Sequence, residues 1–207
     1  MEETRTVFWE NNQVAMIDQR ILPHEFKINH YDNYQDVADA IRTMVVRGAP
    51  AIGAAAGFGM AVAGQQSKAD TLDGLRADLK AAADVLGKSR PTAVNLFWGI
   101  ERMMRCAEAD YDSADALRAA LIKEAEDIAD EDIELNQRMG AYGAELVPDE
   151  ATVIHHCNTG SLATVGWGTA LGVIRSAHFA GKKLHVLVDE TRPRLQGARL
   201  TSWELHN

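Results

Sequence analysis

The residues best able to do chemistry lie in one short stretch, at positions 155–164. Two histidines and Cys157 are followed there by Asn158 and by a run of Gly, Ser and Thr residues. The β-branched run at 152–154 predicts a buried strand before them, and apolar residues at helical spacing after 165 predict a helix. A strand, a polar loop and a helix N-terminus together form a typical anion site, because free backbone N–H groups and the helix dipole point at the ligand.

The residues alone leave two interpretations of Cys157 open. A cysteine at a strand end is more often a packing residue than a nucleophile, although ligands of open α/β folds bind at that edge. A metal site formed with His155 and His156 is unfavourable, because successive strand residues point to opposite faces. The roles of the two histidines stay open. The spacing matches neither a P-loop nor a dinucleotide fingerprint, so a nucleotide site has little support.

A second candidate group is built on arginines. The segment 47–50 (RGAP) precedes an apolar helix predicted over 51–63. Its proline suits the start of a helix, and Gly48 can adopt a positive φ before it. Arg47 is therefore predicted beside a helix N-terminus, where it either binds a phosphate or hydroxyl group or makes a surface ion pair. Arg90 precedes another predicted helix start in the same way.

Composition and charge limit the possible partners. The chain has 207 residues, 46% of them hydrophobic, and a net charge of −9, which argues against nucleic acid or an anionic membrane but not against a small anion. Cys106, interpreted as structural, and Cys157 provide no disulfide framework and suit a reducing compartment. No signal-peptide pattern is present, and the apolar run 49–63 is too short for a likely membrane span. We therefore expect a cytoplasmic protein.

Periodicity predicts an α/β protein in two domains, 1–148 and 149–207, divided near Pro148. The first is a small antiparallel sheet followed by helices, and the second is the start of a parallel sheet. Because two parallel strands alone leave open edges and an uncovered apolar face, we expect the second domain to continue beyond this chain. Predicted strands are 6–9, 14–17, 26–31, 152–154 and 183–188, and predicted helices are 33–46, 51–63, 72–86, 91–104, 113–147 and 198–205. The acidic run 124–134 is interpreted as a solvated helix face rather than a metal site.

Four segments resemble the methylthioribose-1-phosphate isomerase family, in order along all 207 residues. They are 47–53 (RGAPAIG), 90–96 (RPTAVNL), 156–164 (HCNTGSLAT) and 189–201 (DETRPRLQGARLT). The last two are long and specific. The wider family includes regulatory subunits of the exchange factor for translation initiation factor two, and ribose 1,5-bisphosphate isomerases.

The resemblance implies a fold, a reaction and a partner. The expected fold is an N-terminal domain of antiparallel strands and helices before a Rossmann-like domain, in a chain that forms a homodimer and is longer than this one. The expected reaction converts the aldose 5-methylthioribose 1-phosphate to the ketose 5-methylthioribulose 1-phosphate in methionine salvage, with no cofactor and no metal. A sister isomerase of ribose 1,5-bisphosphate and a non-catalytic sugar-phosphate-binding subunit are the alternatives.

The resemblance also assigns roles to individual residues. Cys157 matches the family's active-site cysteine, and the substrate-binding positions match Arg47, Gly48, Ala49, Arg90 and Gln196. The family's catalytic aspartate lies further along the family's sequence and has no counterpart here. Asp189 belongs to a different motif and is not assigned that role, so we expect the 207-residue chain alone to be inactive. Whether hydrogen moves by a hydride shift or through an enediolate is left open.

Overall fold

The computed structural model describes residues 5–207 and begins with an antiparallel sheet of three strands. β1 (Val7–Glu10) and β2 (Gln13–Ile17) are joined by two asparagines at 11–12, whose φ angles of 51° and 60° have the left-handed values of a tight hairpin turn. β3 (Ile28–Tyr31) pairs with the other edge of β2. The predicted three-stranded sheet and its turn are confirmed.

Five helices follow between residues 34 and 145. Their bounds are α1 (Tyr34–Arg42), α2 (Ala49–Gln66), α3 (Leu72–Gly87), α4 (Val94–Glu108) and α5 (Ala114–Glu145). The side chains of Asn33, Thr71 and Ser113 cap α1, α3 and α5 by accepting a hydrogen bond from a first-turn backbone N–H. Such caps satisfy donors that the helix itself leaves free, and they account for the sharp starts of these helices.

Two of the predicted helix ends were wrong. The helix predicted over 33–46 ends at Arg42, because Met44 takes a φ of +64° and turns the chain. Val45 lies in the loop that follows and is buried there, and its carbonyl accepts a hydrogen bond from the backbone N–H of Gln19. The helix predicted from 91 begins at Val94, after a turn closed by a hydrogen bond from the N–H of residue 93 to the carbonyl of residue 90.

Helix α2 lies at the centre of this part of the molecule. All of its residues from Ala51 to Gly64 are buried, and it contacts α1, α3, α4 and α5. Its surface is apolar on every side, as expected of a helix surrounded by others. A Cβ on Gly53 would lie 3.1 Å from the carbonyl oxygen of Asn95, so the small residues of α2 allow close packing, as predicted.

The remainder of the chain forms a parallel pair of strands. β4 (Glu150–His155) and β5 (Lys183–Val188) are linked by α6 (Ala170–Phe179), which packs against α5. On the other face of the pair, Ile154 and Leu187 are 74% and 47% exposed. The succession of an antiparallel sheet with helices and then a parallel pair is the predicted α/β arrangement.

The segments around the parallel pair differ in detail from the prediction. Between β4 and α6 lies a long loop that contains a 3₁₀ turn, Ser161–Ala163, so the helix begins later than expected. The helix predicted over 198–205 is a π-helical turn, Gly197–Thr201, followed by α7 (Ser202–His206). Pro148 lies in the link between α5 and β4, and the domain division there stays a prediction. Within residues 5–207, no helix is both long and apolar enough to cross a membrane.

The dependence of stability on the α2–α5 packing can be tested with two leucines of one helix. Leu121 is fully buried in α5, whereas Leu135 of the same helix is 58% exposed. We expect Leu121→Ala to lower the free energy of unfolding by about 2–5 kcal/mol, since it loses burial and leaves a cavity. Leu135→Ala should change it by less than about 0.5 kcal/mol. Urea unfolding of both variants gives the comparison, and equal losses would contradict the described core.

Candidate active site

An arginine-rich cavity of about 320 Å³ lies where the N-terminal helices meet the end of the chain. The residues that line it are Gln19, Arg20, Thr43, Met44, Arg47, Gly48, Arg90, Arg194, Gln196, Arg199 and Leu200. They include five arginines and, within residues 5–207, no carboxylate. Because the whole chain carries a net charge of −9, this concentration of positive charge is local, and it favours a small anion.

Gly48 fixes the position of Arg47. It is the residue before α2 and has a φ of +94°, a conformation that favours glycine. A Cβ at this position would lie 2.2 Å from the carbonyl oxygen of Ala163, so only glycine fits. The left-handed Gly48 and the helix start beside Arg47 are therefore as predicted. One guanidinium Nη2 of Arg47 donates to Oδ1 of Asn158 at 3.1 Å.

Four polar side-chain atoms of the cavity residues are buried without a hydrogen-bond partner. They are Gln19 Oε1, Arg47 Nε, Arg90 Nη1 and Gln196 Oε1. Leaving a buried polar group unpaired costs roughly 1–3 kcal/mol, and native proteins contain few such groups. Donors and acceptors that converge unpaired on one cavity are suited to a ligand that supplies their partners.

The five arginines differ in what already holds them. Arg20 binds Asp18 at 2.6 Å, and its hydrogen bonds hold the pKa of that buried carboxyl below its usual value. Arg199 donates to the carbonyl oxygen of Leu22 at 3.0 and 2.8 Å, which ties the end of the chain to the N-terminal part. Arg199, like Arg47, Arg90 and Arg194, makes no ion pair within residues 5–207, so Arg20 is the one cavity arginine there that does.

The Arg47 guanidinium is partly removed from solvent. Burial lowers its pKa, and the neighbouring Cys157 and Glu204 act in the opposite direction. An arginine keeps its charge despite such a shift, since its ordinary pKa is far above neutral. A charged guanidinium that has lost water and faces an open cavity interacts strongly with an anion.

Cys157 is the second residue after β4, where the strand gives way to the loop as the sequence predicted, and it is held in an unusual backbone conformation. Its φ of +67° is left-handed, which costs a non-glycine residue of order 1–3 kcal/mol. Two threonines hold this conformation: Thr191 Oγ1 accepts from the Cys157 N–H at 2.9 Å, and Thr201 donates to its carbonyl at 2.7 Å. The half-buried Cys157 does not line the cavity itself, but it is close enough for its charge to act on Arg47.

Some of the other predicted ligand residues line the cavity, and one, like Cys157, does not. Arg90 and Gln196 line the cavity together with Arg47 and Gly48. Ala49 is the first residue of α2 and is exposed outside the cavity lining. Four of the six residues singled out by the sequence thus meet around one space, and their roles toward a ligand stay predictions.

The predicted anion site in the loop after β4 is already filled from within the chain. The backbone N–H of Ser161 donates to the carboxylate of Glu204 at 2.6 Å, and the N–H of Leu162 donates to it at 3.4 Å. At the start of α6, the N–H of Leu171 donates to Thr159 Oγ1 at 3.0 Å. The sequence prediction of a ligand site at these donors was therefore wrong. It missed Glu204, whose one signal is a charged residue between two apolar ones, Trp203 and Leu205.

The two histidines do not join Cys157 in a metal site. His155 is buried, bonds Thr159 Oγ1 through Nε2 at 2.8 Å, and has its pKa lowered by burial. His156 is exposed, and its Nδ1 lies 2.9 Å from Asp189 Oδ2. The side chains diverge, as alternation along a strand requires. Across residues 5–207 no three His, Cys, Asp or Glu side chains are arranged to hold a metal ion.

Known proteins share both the sequence and the fold. Residues 45–207 match the model of the initiation factor 2 subunit family. Curated relatives include the methylthioribose-1-phosphate isomerases of Geotalea daltonii, 54% identical over 202 residues, and of Desulforamulus reducens, 52% identical over 200 residues. The matches cover 97% and 96% of this chain and 58% of each relative. The chain thus spans little more than half the length of these relatives.

Two solved structures have the same fold over nearly the whole chain. The 5-methylthioribose 1-phosphate isomerase of Pyrococcus horikoshii OT3 superposes with a TM-score of 0.92 and 47% identity, covering 100% of this chain and 58% of that one. Subunit delta of translation initiation factor eIF-2B from A. fulgidus gives a TM-score of 0.90 and 46% identity, covering 98% and 59%. Since the family model matches most of the sequence, the chain belongs to the initiation factor 2 subunit family.

Proposed function

We propose that this chain is part of an aldose–ketose isomerase that converts 5-methylthioribose 1-phosphate to 5-methylthioribulose 1-phosphate in methionine salvage. The observation that carries the proposal is the cavity whose Arg47, Arg90 and Gln196 hold unpaired polar atoms. A sugar phosphate supplies both kinds of partner, because its phosphate oxygens accept from guanidinium groups and its hydroxyls donate to amide oxygens. The names of the curated relatives support the same substrate.

The reaction requires three balanced changes in the substrate. The ring oxygen takes up a proton as its bond to C1 breaks, one hydrogen moves from C2 to C1, and the C2 hydroxyl loses its proton as the ketone forms. Proton uptake and release cancel, so no oxidant or reductant is needed. Arg47 and Arg90 hold the phosphate on C1, and the cavity's positive charge stabilises negative charge that develops beside it.

Cys157 is the proposed catalytic residue. In an enediolate path its thiolate takes the proton from C2 and returns it to C1. In a hydride shift it stabilises the transition state beside the migrating hydrogen. The Arg47 guanidinium and Cys157 are close enough to interact electrostatically, which brings the thiol near the proposed phosphate site. Ala49, although exposed outside the cavity lining, is proposed as a substrate contact at the start of α2.

The rest of the relatives' length is proposed to complete the enzyme. It would supply the general acid that protonates the ring oxygen and further strands of a Rossmann-like sheet, covering the exposed Ile154 and Leu187. We propose a cytoplasmic homodimer of these longer chains. Without that acid, the 207 residues bind the sugar phosphate but do not turn it over.

The two candidate substrates differ at the 5-position of the sugar, which carries a methylthio group in one and a second phosphate in the other. We expect the longest natural chain that carries this sequence to act on 5-methylthioribose 1-phosphate at least about 100-fold faster, in kcat/KM, than on ribose 1,5-bisphosphate. The reason is that Arg20 and Arg199 are already bound within the chain, while Met44 and Leu200 offer apolar contacts. Phosphorus NMR follows both reactions. A faster reaction with the bisphosphate would favour the sister isomerase, and binding without turnover of either would favour a regulatory subunit.

The role of Cys157 is tested against the other cysteine of the chain. We expect Cys157→Ala in the complete enzyme to lower kcat by about 10³-fold or more with the fold intact, because the group that handles the proton or transition state is lost. Cys106, in α4, packs against the hydrophobic core with its sulfur 3.3 Å from the Tyr111 hydroxyl, outside the cavity lining, so Cys106→Ala should keep a near-normal rate. Near-normal turnover by Cys157→Ala would exclude the catalytic role.

A further inference from the structure

The carboxylate of Glu204 is the most enclosed charged group near the cavity, although it does not line it. Its side chain is 1% exposed. Oε1 accepts from Asn158 Nδ2 at 2.7 Å, and Oε2 accepts from the N–H and the hydroxyl of Ser161 at 2.6 and 2.8 Å. The nearest cation is Arg175, whose Nη2 lies 3.7 Å from Oε2. A carboxylate buried in this way strongly destabilises the fold unless its hydrogen bonds are complete.

Asn158 connects this carboxylate to Arg47. Its side chain is almost fully buried, with Nδ2 directed at Glu204 and Thr201 and Oδ1 directed at Arg47. A carboxylate can only accept hydrogen bonds and a guanidinium can only donate them. An amide placed between the two has one satisfactory orientation, with its NH₂ toward the carboxylate and its oxygen toward the guanidinium. Glu204 thereby determines which face of Asn158 meets Arg47.

The backbone at Gly160 passes close to Glu204 and keeps the Glu204 carboxylate and the Asn158 amide in place. A Cβ on Gly160 would lie 2.2 Å from Glu204 Oε2, so the chain passes directly over the carboxylate there. The carboxylate and the Asn158 amide therefore have little room to rearrange together. Reversal of the amide would turn an NH₂ group toward the Arg47 cation and push the guanidinium from its place in the cavity.

We propose that Glu204 is a positioning residue of the sugar-phosphate site, which acts through the Asn158 amide to orient the Arg47 guanidinium toward the phosphate. The inference rests on the proposed function, because it takes Arg47 as a ligand of the phosphate. Glu204 itself touches neither the cavity nor the substrate. Its negative charge also lies close enough to act on Arg47, in the direction that favours the guanidinium's charged form.

The variant that tests this is Glu204→Gln, which keeps the size of the side chain and replaces one acceptor by a donor. An NH₂ group at the Oε1 position forces Asn158 to reverse, and one at the Oε2 position opposes the N–H of Ser161. We expect this chain to bind inorganic phosphate about tenfold more weakly after the change, as measured by calorimetry. Ser161→Ala is the matched control. It removes one hydrogen bond from the same carboxylate and leaves the Asn158 amide in place, so phosphate affinity should stay within about twofold.

A double-mutant cycle with Arg47→Ala separates positioning from general support of the fold. If Glu204 acts through Arg47, Glu204→Gln should weaken phosphate binding no further once Arg47 is alanine. If the two substitutions instead weaken phosphate binding independently, so that their losses of binding free energy add in the double variant, the proposal is overturned. Should Glu204→Gln fail to fold by circular dichroism, Asn158→Ala breaks the same connection from the other side and must give the same non-additive result.

One further measurement does not depend on ligand binding. The Asn158 side-chain NH₂ resonances should exchange slowly with solvent in the parent chain and in Ser161→Ala, and should shift and lose protection in Glu204→Gln. Unchanged resonances in Glu204→Gln would overturn the orienting role. Normal resonance behaviour in a parent chain that binds no phosphate would instead contradict the proposed function, so the two failures can be told apart.

Discussion

The cavity depends on the close approach of two backbones, at Gly48 and Ala163. The missing side chain of Gly48 lets the start of α2 come within van der Waals distance of the 3₁₀ turn that follows Cys157. The side chain of Gln19 closes the same junction by donating to the carbonyl of Leu162 at 2.7 Å. These contacts bring segments more than 100 residues apart to one wall. A larger residue at position 48 would separate the arginine of the helical part from the cysteine of the parallel strands.

The electrostatics of the cavity follow from this arrangement. About half of the lysines and arginines of this acidic chain make ordinary ion pairs, such as Arg42 with Asp39 and Arg102 with Glu131. Arg47 and Arg90 are instead brought to a cavity that no carboxylate of residues 5–207 lines. Burial, and to a smaller extent repulsion from Arg90, lowers the pKa of Arg47, and the unpaired donors reduce stability further. Such a cost is understandable where a ligand supplies the missing partners.

Local sequence signals determined most of the fold and part of the site. The hairpin at 11–12, the capped helices and strand β5 could be predicted because turn residues, caps and periodicity act over a few positions. The early end of α1 at Arg42 could not, because burial of Val45 by distant chain segments overrides the helical pattern. Arg47 and Gly48 could be placed beside a helix start from the proline after them. Their meeting with Arg90 and Gln196 depends on long-range packing, and only the family resemblance suggested it.

The same reasoning explains why the loop after β4 misled the sequence analysis. Its backbone donors do bind an anion, but the anion is the carboxylate of Glu204, supplied from a segment more than 40 residues later. Once those donors are occupied, what remains for a ligand is the arginine side chains, which have longer reach and less fixed orientation than backbone N–H groups. Guanidinium groups of that kind need a partner that holds them in place before the ligand arrives. Asn158, held on one side by Glu204 and bonded on the other to Arg47, has the geometry to meet that need, and the carboxylate that fixes this amide is the same one that occupies the backbone donors of the loop.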